Sequence, residues 1–219
     1  MSVEQVIHTS TSETYGSAQF VPISEIHPIS AQSPYAASKI GADQIALSYW
    51  RSFETPISIL RPFNTYGPRQ SSRAVIPTII TQISSGAKRI KLGSLSPTRD
   101  FNFVSDTCAA FIAISHCKQT IGKVINSASN FEISIGDTAS LIAEVMNSNI
   151  EIITDESRVR PKGSEVDRLF GDNSLLRELT NWKPQYEGKE GFKRGRSITA
   201  DWFSNPTNLN FYKSNIYTI

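Results

Sequence analysis

A chain of 219 residues suffices for one ordinary domain, or for one domain with a small lobe. Its formal net charge of +2 and dispersed basic residues supply no bulk field for nucleic acid or a membrane surface. The two cysteines, Cys108 and Cys117, make neither a metal motif nor a disulfide framework, no apolar run approaches the ~20 residues of a membrane span, and the start lacks a signal-peptide pattern, so a cytoplasmic protein is expected.

In chain order, Gln5 to Ser10 reads as a short buried strand, apolar enough to need neighbours on both sides. The polar run Thr11-Ser12-Glu13-Thr14-Tyr15-Gly16 follows at its carboxyl end, where open α/β sheets bind ligands. Two hydroxyls and a carboxylate in sequence can handle protons, although a plain polar turn ending at Gly16 accounts for them locally. Residues 17–33 read as loop, with His27 at the surface. A helix opens at Pro34, a residue tolerated in the first turn, and runs through Ile40, Ile45, Tyr49 and Trp50 until Glu54-Thr55-Pro56 breaks it. Ile57 to Leu60 is the next buried strand, and Arg61 to Arg69 is the loop at its carboxyl end. Strand, loop, helix, strand is the order of a parallel sheet.

Further on, a helix is expected over Val75–Ser85 and a strand over Arg89–Leu92. After the segment Thr98 to Val104 comes a helix from Thr107 to about His116, with Ser105 or Asp106 as its cap. Val124–Asn126 and Ile150–Thr154 are strand-like, and Ser134 opens a helix carrying Leu141, Ile142, Val145 and Met146. Arg158 to Arg168 reads as loop. Helices are expected over Asp172–Leu179 and Glu190–Phe203, before a tail without period.

The stretch Ser33-Pro34-Tyr35-Ala36-Ala37-Ser38-Lys39 concentrates the chemistry. Tyr35 and Lys39, four apart, lie on one helix face. A phenol of ordinary pKa about 10 is a weak base at neutral pH, and an adjacent ammonium favours its phenolate. On local grounds alone, Arg99-Asp100 reads as a surface ion pair, Arg160 as a loop arginine and Asn64 as a turn residue.

Four blocks in order resemble the extended short-chain dehydrogenase/reductase family, and within it the nucleotide-sugar 4,6-dehydratases and related epimerases. They are Ser10 to Gly16, Tyr35-x-x-x-Lys39, Arg61-Pro62-Phe63-Asn64-Thr65-Tyr66-Gly67-Pro68, and Arg99-Asp100-Phe101 with Val104-x-Asp106, followed later by Arg160-Pro161 and Asn181-Trp182-Lys183-Pro184. The phrase from Arg61 to Pro77 looks most like the N-acetylglucosamine-nucleotide enzymes of legionaminic acid synthesis. The resemblance implies an α/β chain: the C-terminal part of a Rossmann-like parallel sheet plus a small α/β substrate-binding lobe. Residues 1–70 are then the catalytic remainder of the NAD-binding domain, and 71–219 mainly the substrate lobe, with some segments returning to the sheet.

It also implies roles. Tyr35, Lys39, Pro62 and Ser10 would face NAD. Thr11, Asn64, Arg99 and Arg160 would face a UDP-, GDP- or dTDP-hexose, with the two arginines on its pyrophosphate. Tyr35 would take the C4 hydroxyl proton as hydride leaves C4. Lys39 would hold the nicotinamide ribose, and Thr11 the C4 oxygen. Glu13 would then remove the C5 proton, and Ser12 stands where relatives place an aspartate for loss of the C6 hydroxyl. The Thr-x-Glu order favours dehydration. A 4-epimerase, or a non-catalytic relative that only binds nucleotide sugar or a partner, is the alternative. Full-length members imply a homodimer.

A glycine-rich dinucleotide turn and an acidic ribose partner are missing from these residues. About 100 residues, one mononucleotide-binding half, are therefore expected to be lacking. Weak NAD binding and poor turnover by this chain alone are expected, together with an unpaired strand edge that favours association.

Overall fold

The computed structural model describes residues 3–210 and 212. The chain enters through β1 (Val6–Thr9), passes a single 3-10 turn (Ser12–Tyr15) and, after a loop, forms α1 (Pro34–Phe53). Ser33 caps α1, its Oγ accepting the Ala36 N–H at 3.1 Å, and Pro34 sits where its missing N–H has no helical partner. There follow β2 (Ile57–Pro62), β3 (Asn64–Tyr66), α2 (Val75–Ser84), β4 (Arg89–Leu92), β5 (Thr98–Phe103) and α3 (Val104–Ser115). The remainder comprises β6 (Val124–Ser127), β7 (Glu132–Ser134), α4 (Ile135–Val145), β8 (Glu151–Thr154), α5 (Ser174–Thr180), α6 (Gly188–Ser204) and α7 (Pro206–Leu209).

β1, β2 and β6 form a parallel sheet with β2 in the middle; Val6 lies opposite Ile57, and Ile59 opposite Val124. Residues 57–61 of β2 are buried one after another because both faces of the sheet are covered. On one face Ile57 and Ile59 meet Leu47 of α1. On the other, Leu60 packs with Ala110 and Ile114 of α3, Leu176 of α5 and Trp182. A second sheet, β3–β5–β7, joins β3 to β5 in parallel and β5 to β7 antiparallel; β4 and β8 pair in parallel. Its core gathers Tyr66, Ile76, Ile79, Ile80, Phe101, Phe103, Phe192 and Phe203.

The expected strands and long helices are present, but β1, expected to be buried between neighbours, has no buried residue and pairs only with β2 among the described residues. There are three further differences. First, β3, β5 and β7 are strands within segments that read as turns or as motif. Two of them are only three residues long, too short to show a period. Second, Phe103 rather than Ser105 or Asp106 stands at the cap of α3. Asp106 lies in the first turn, and its carboxylate accepts the backbone N–H groups of Gln185 (3.0 Å) and Tyr186 (2.8 Å). Third, His27 is not a surface residue: it is 3% exposed. Its Nδ1 bonds the Pro28 carbonyl and its Nε2 accepts the Gln19 N–H, while Tyr15 and Phe20 pack on the ring. The loop carrying it folds back onto 168–172 through the Ala18, Ile23 and Asp172 N–H groups. The expected final helix ends in α6, α7 follows, and most of the tail, 211 and 213–219, lies outside the described residues.

Candidate active site

Two strand ends and one helix start define the site. Thr11, at the carboxyl end of β1, caps the 3-10 turn by accepting the Glu13 N–H on its Oγ1 at 3.2 Å, which leaves its hydroxyl proton free to donate. Thr11 and Glu13 are half-buried, whereas Ser12 between them is buried. α1 packs against this turn. Its opening turns carry Tyr35, 52% exposed, and Lys39, whose Nζ donates to the Thr9 carbonyl at 3.1 Å. That bond uses one of three ammonium donors. The amine that follows Tyr35 on the helix face is thereby tied to the strand that delivers Glu13.

Ser10 is buried, and its hydroxyl donates to Asp43 at 2.8 Å, so that side chain is engaged inside the protein. Pro62 closes β2, half-buried. Asn64 opens β3, and its Oδ1 is buried with no partner among the described residues. A buried acceptor left open at a strand end is an invitation to an outside donor.

Arg99 and Asp100, neighbours on β5, are both buried and do not form a surface pair. Arg99 bonds Glu165 through Nη2 at 3.3 Å and the Thr98 carbonyl through Nη1. Burial pulls the Arg99 guanidinium below its ordinary pKa; Glu165 opposes this, Arg160 adds to it, and Glu13 opposes it. Glu13, Arg99, Arg160 and Glu165 therefore share one electrostatic neighbourhood, with Arg160 exposed at its edge. Asp100 turns the other way. Its Oδ1 accepts the N–H and Oγ–H of Ser129, and its Oδ2 the N–H of Gly171.

Glu165, the partner of Arg99, was not anticipated, because nothing in its local sequence separates it from a solvated loop acid. Asp43 was also missed. A signal did exist, since Asp43 continues the Tyr35–Lys39 spacing by four on α1.

This arrangement can be set against known proteins. A family model described as GDP-mannose 4,6 dehydratase matches residues 2–195. The chain belongs to that family. It is 31% identical over 206 residues to dTDP-D-glucose 4,6-dehydratase of Homo sapiens, a match covering 92% of this chain and 57% of the relative. Among solved structures it resembles dTDP-glucose 4,6-dehydratase of Bacillus anthracis in complex with NAD, with a TM-score of 0.81, 28% identity, and coverage of 92% of this chain and 62% of that one. It also resembles UDP-glucuronic acid 4-epimerase of Bacillus cereus in complex with UDP-glucuronic acid and NAD, with a TM-score of 0.84, 25% identity, and coverage of 97% and 63%. The fold is thus α/β with parallel sheets of Rossmann-like type, and the chain spans 57% of the length of its human relative. Among the described residues no helix is long and apolar enough to cross a membrane.

Proposed function

We propose that this chain carries the reaction centre of an NAD-dependent dehydration that converts a nucleotide-activated hexose into its 4-keto-6-deoxy form. The observation that carries this reading is the placement of Glu13. It stands on the turn against which α1 packs, next to the strand whose Thr9 carbonyl accepts the Lys39 ammonium. A base, a phenol–amine pair and a diphosphate-binding arginine then address one substrate. Residues 1–70 form the catalytic part of the dinucleotide-binding domain, and 71–219 mainly the sugar-nucleotide lobe, with segments such as β6 returning to the sheet.

The residues fit the nicotinamide half of NAD. Lys39 keeps two donors for a ribose beyond the one engaged by Thr9, and Tyr35 is open to solvent beside it. NAD held there would supply the hydride acceptor for C4 and, after water is lost, the hydride for C6, while C5 takes back a proton. Tyr35 accepts the proton of the C4 hydroxyl, and Thr11 donates a hydrogen bond to the C4 oxygen. Once C4 is a ketone the C5 hydrogen is acidic, and Glu13 removes it. Glu13 or a water, with Ser12 buried beside it, supplies the proton for the departing C6 hydroxyl. Arg99 exchanges Glu165 for the substrate diphosphate, with Arg160 alongside; a forked guanidinium suits that task. Asn64 directs its unpartnered Oδ1 to a substrate donor.

The test is turnover of dTDP-glucose, GDP-mannose and a UDP-N-acetylhexosamine with added NAD and a glycine-rich dinucleotide-binding half supplied in trans, read by mass as a product lighter by one water. Glu13→Gln is expected to abolish water loss. If water loss persists in this variant at the wild-type rate, Glu13 is not the base. If the wild type inverts C4 without losing water, the 4-epimerase reading replaces this one.

A further inference from the structure

We infer that Asp43 and Arg61 are a positioning pair that sets the catalytic helix and the Thr11–Glu13 turn relative to each other. The inference rests on the roles proposed above for Tyr35, Lys39 and Glu13. Asp43 follows Tyr35 and Lys39 at successive steps of four on α1, but it points into the protein and is fully buried. Its Oδ2 accepts three hydrogen bonds: from Ser10 Oγ at 2.8 Å, from Arg61 Nε at 3.1 Å and from Arg61 Nη2 at 2.8 Å. Its Oδ1 lies 3.2 Å from His8 Nε2. One carboxylate thus ties α1 to the carboxyl end of β1 through Ser10, and to β2 through Arg61.

Arg61 carries the connection onward. Its side chain is 4% exposed, and the guanidinium carbon sits 4.8 Å from the centroid of the Tyr15 ring. Tyr15 ends the 3-10 turn that holds Glu13, and its hydroxyl donates to Asn126 Oδ1 at 2.8 Å on β6. Burial pushes the Tyr15 phenol up, so it stays a neutral donor. The path therefore runs from the helix of Tyr35 and Lys39, through one buried ion pair, to the turn of Glu13. A buried ion pair is a poor source of net stability, since a well-packed apolar replacement often does as well. What it supplies is direction. A planar fork bonding one oxygen and stacking on one ring admits little rotation, and small misplacements of reacting groups reduce rate steeply.

The pair is tested in the full chain with Asp43→Asn, which keeps shape and removes charge, and Arg61→Lys, which keeps charge and removes the fork. In each variant the amide resonances of Glu13 and Tyr15, on a different element from Asp43, are expected to move together with that of Lys39. Turnover is expected to lose kcat by about tenfold or more with KM held within about twofold. A lower melting temperature with the Glu13 resonance unmoved and kcat per folded molecule unchanged overturns the inference. If the wild type turns over no nucleotide sugar even with a dinucleotide-binding half supplied in trans, the proposed function fails while the resonances still decide the positioning. If one variant does not fold, the other carries the test.

Discussion

Asp100 shows how a single buried side chain sets a pH dependence. Burial pushes its carboxyl up to about 6, against the hydrogen bonds from Ser129 and Gly171 that favour the ionised form. A carboxyl with a raised folded-state pKa binds its proton more tightly folded than unfolded. Its contribution is therefore greatest below the unfolded value of about 3.9, and it is lost as pH rises through the folded value. The stability advantage of wild type over Asp100→Asn should shrink between about pH 4 and pH 6 and level off above. Urea midpoints of both proteins across that range measure it, and an advantage that grows with pH would contradict the assignment. The group does not act alone, since it joins β5 to residues 129 and 171 and so fixes the strand on which Arg99 is mounted.

At the scale of elements, α1 and α6 are held in different ways. α1 depends on its start. Ser33 satisfies the otherwise open N–H of Ala36, the residue after Tyr35, and Ser33→Ala should cost about 1 kcal/mol, seen as a lowered denaturation midpoint. α6 depends on close approach. At Gly195 a methyl group would run into the Tyr66 hydroxyl and come within 2.9 Å of Phe103. Gly195→Ala should destabilise by about 1–3 kcal/mol, because Tyr66 and Phe103 belong to the packed core and cannot swing aside. A variant as stable as wild type would show that α6 can slide over β3 and β5 freely.

Across the whole molecule, the parallel sheet collects the ends of β1 and β2, and α1 lies on one of its faces. The outward side of α1 carries Ile45, Tyr49 and Phe53 at successive steps of four, all exposed, with Phe53 71% so. Apolar stripes of this kind favour association. We expect the chain to sediment as an associated species at micromolar concentration, and Ile45→Lys to return it toward monomer. Equal sedimentation of the two proteins would remove α1 as the contact.

Much of this molecule was legible in order. β1, α1, β2, α2, β4 and β8 follow from runs of apolar residues at strand or helix period. Tyr35, Lys39, Thr11 and Glu13 were legible as neighbours because short spacing along a helix or turn carries its own geometry. The three-residue strands β3 and β7 were not, since pairing partners distant in the chain hold them rather than any local preference.

Only the tertiary structure decided that His27 is interior, that Asp100 faces Ser129 instead of Arg99, that Glu165 holds Arg99, and that Asp43 of α1 meets Arg61. The physical reason is the same in each case. A side chain's periodicity and chemistry are properties of its own segment, whereas the partner of a buried polar group is whatever the fold brings within about 3 Å of it.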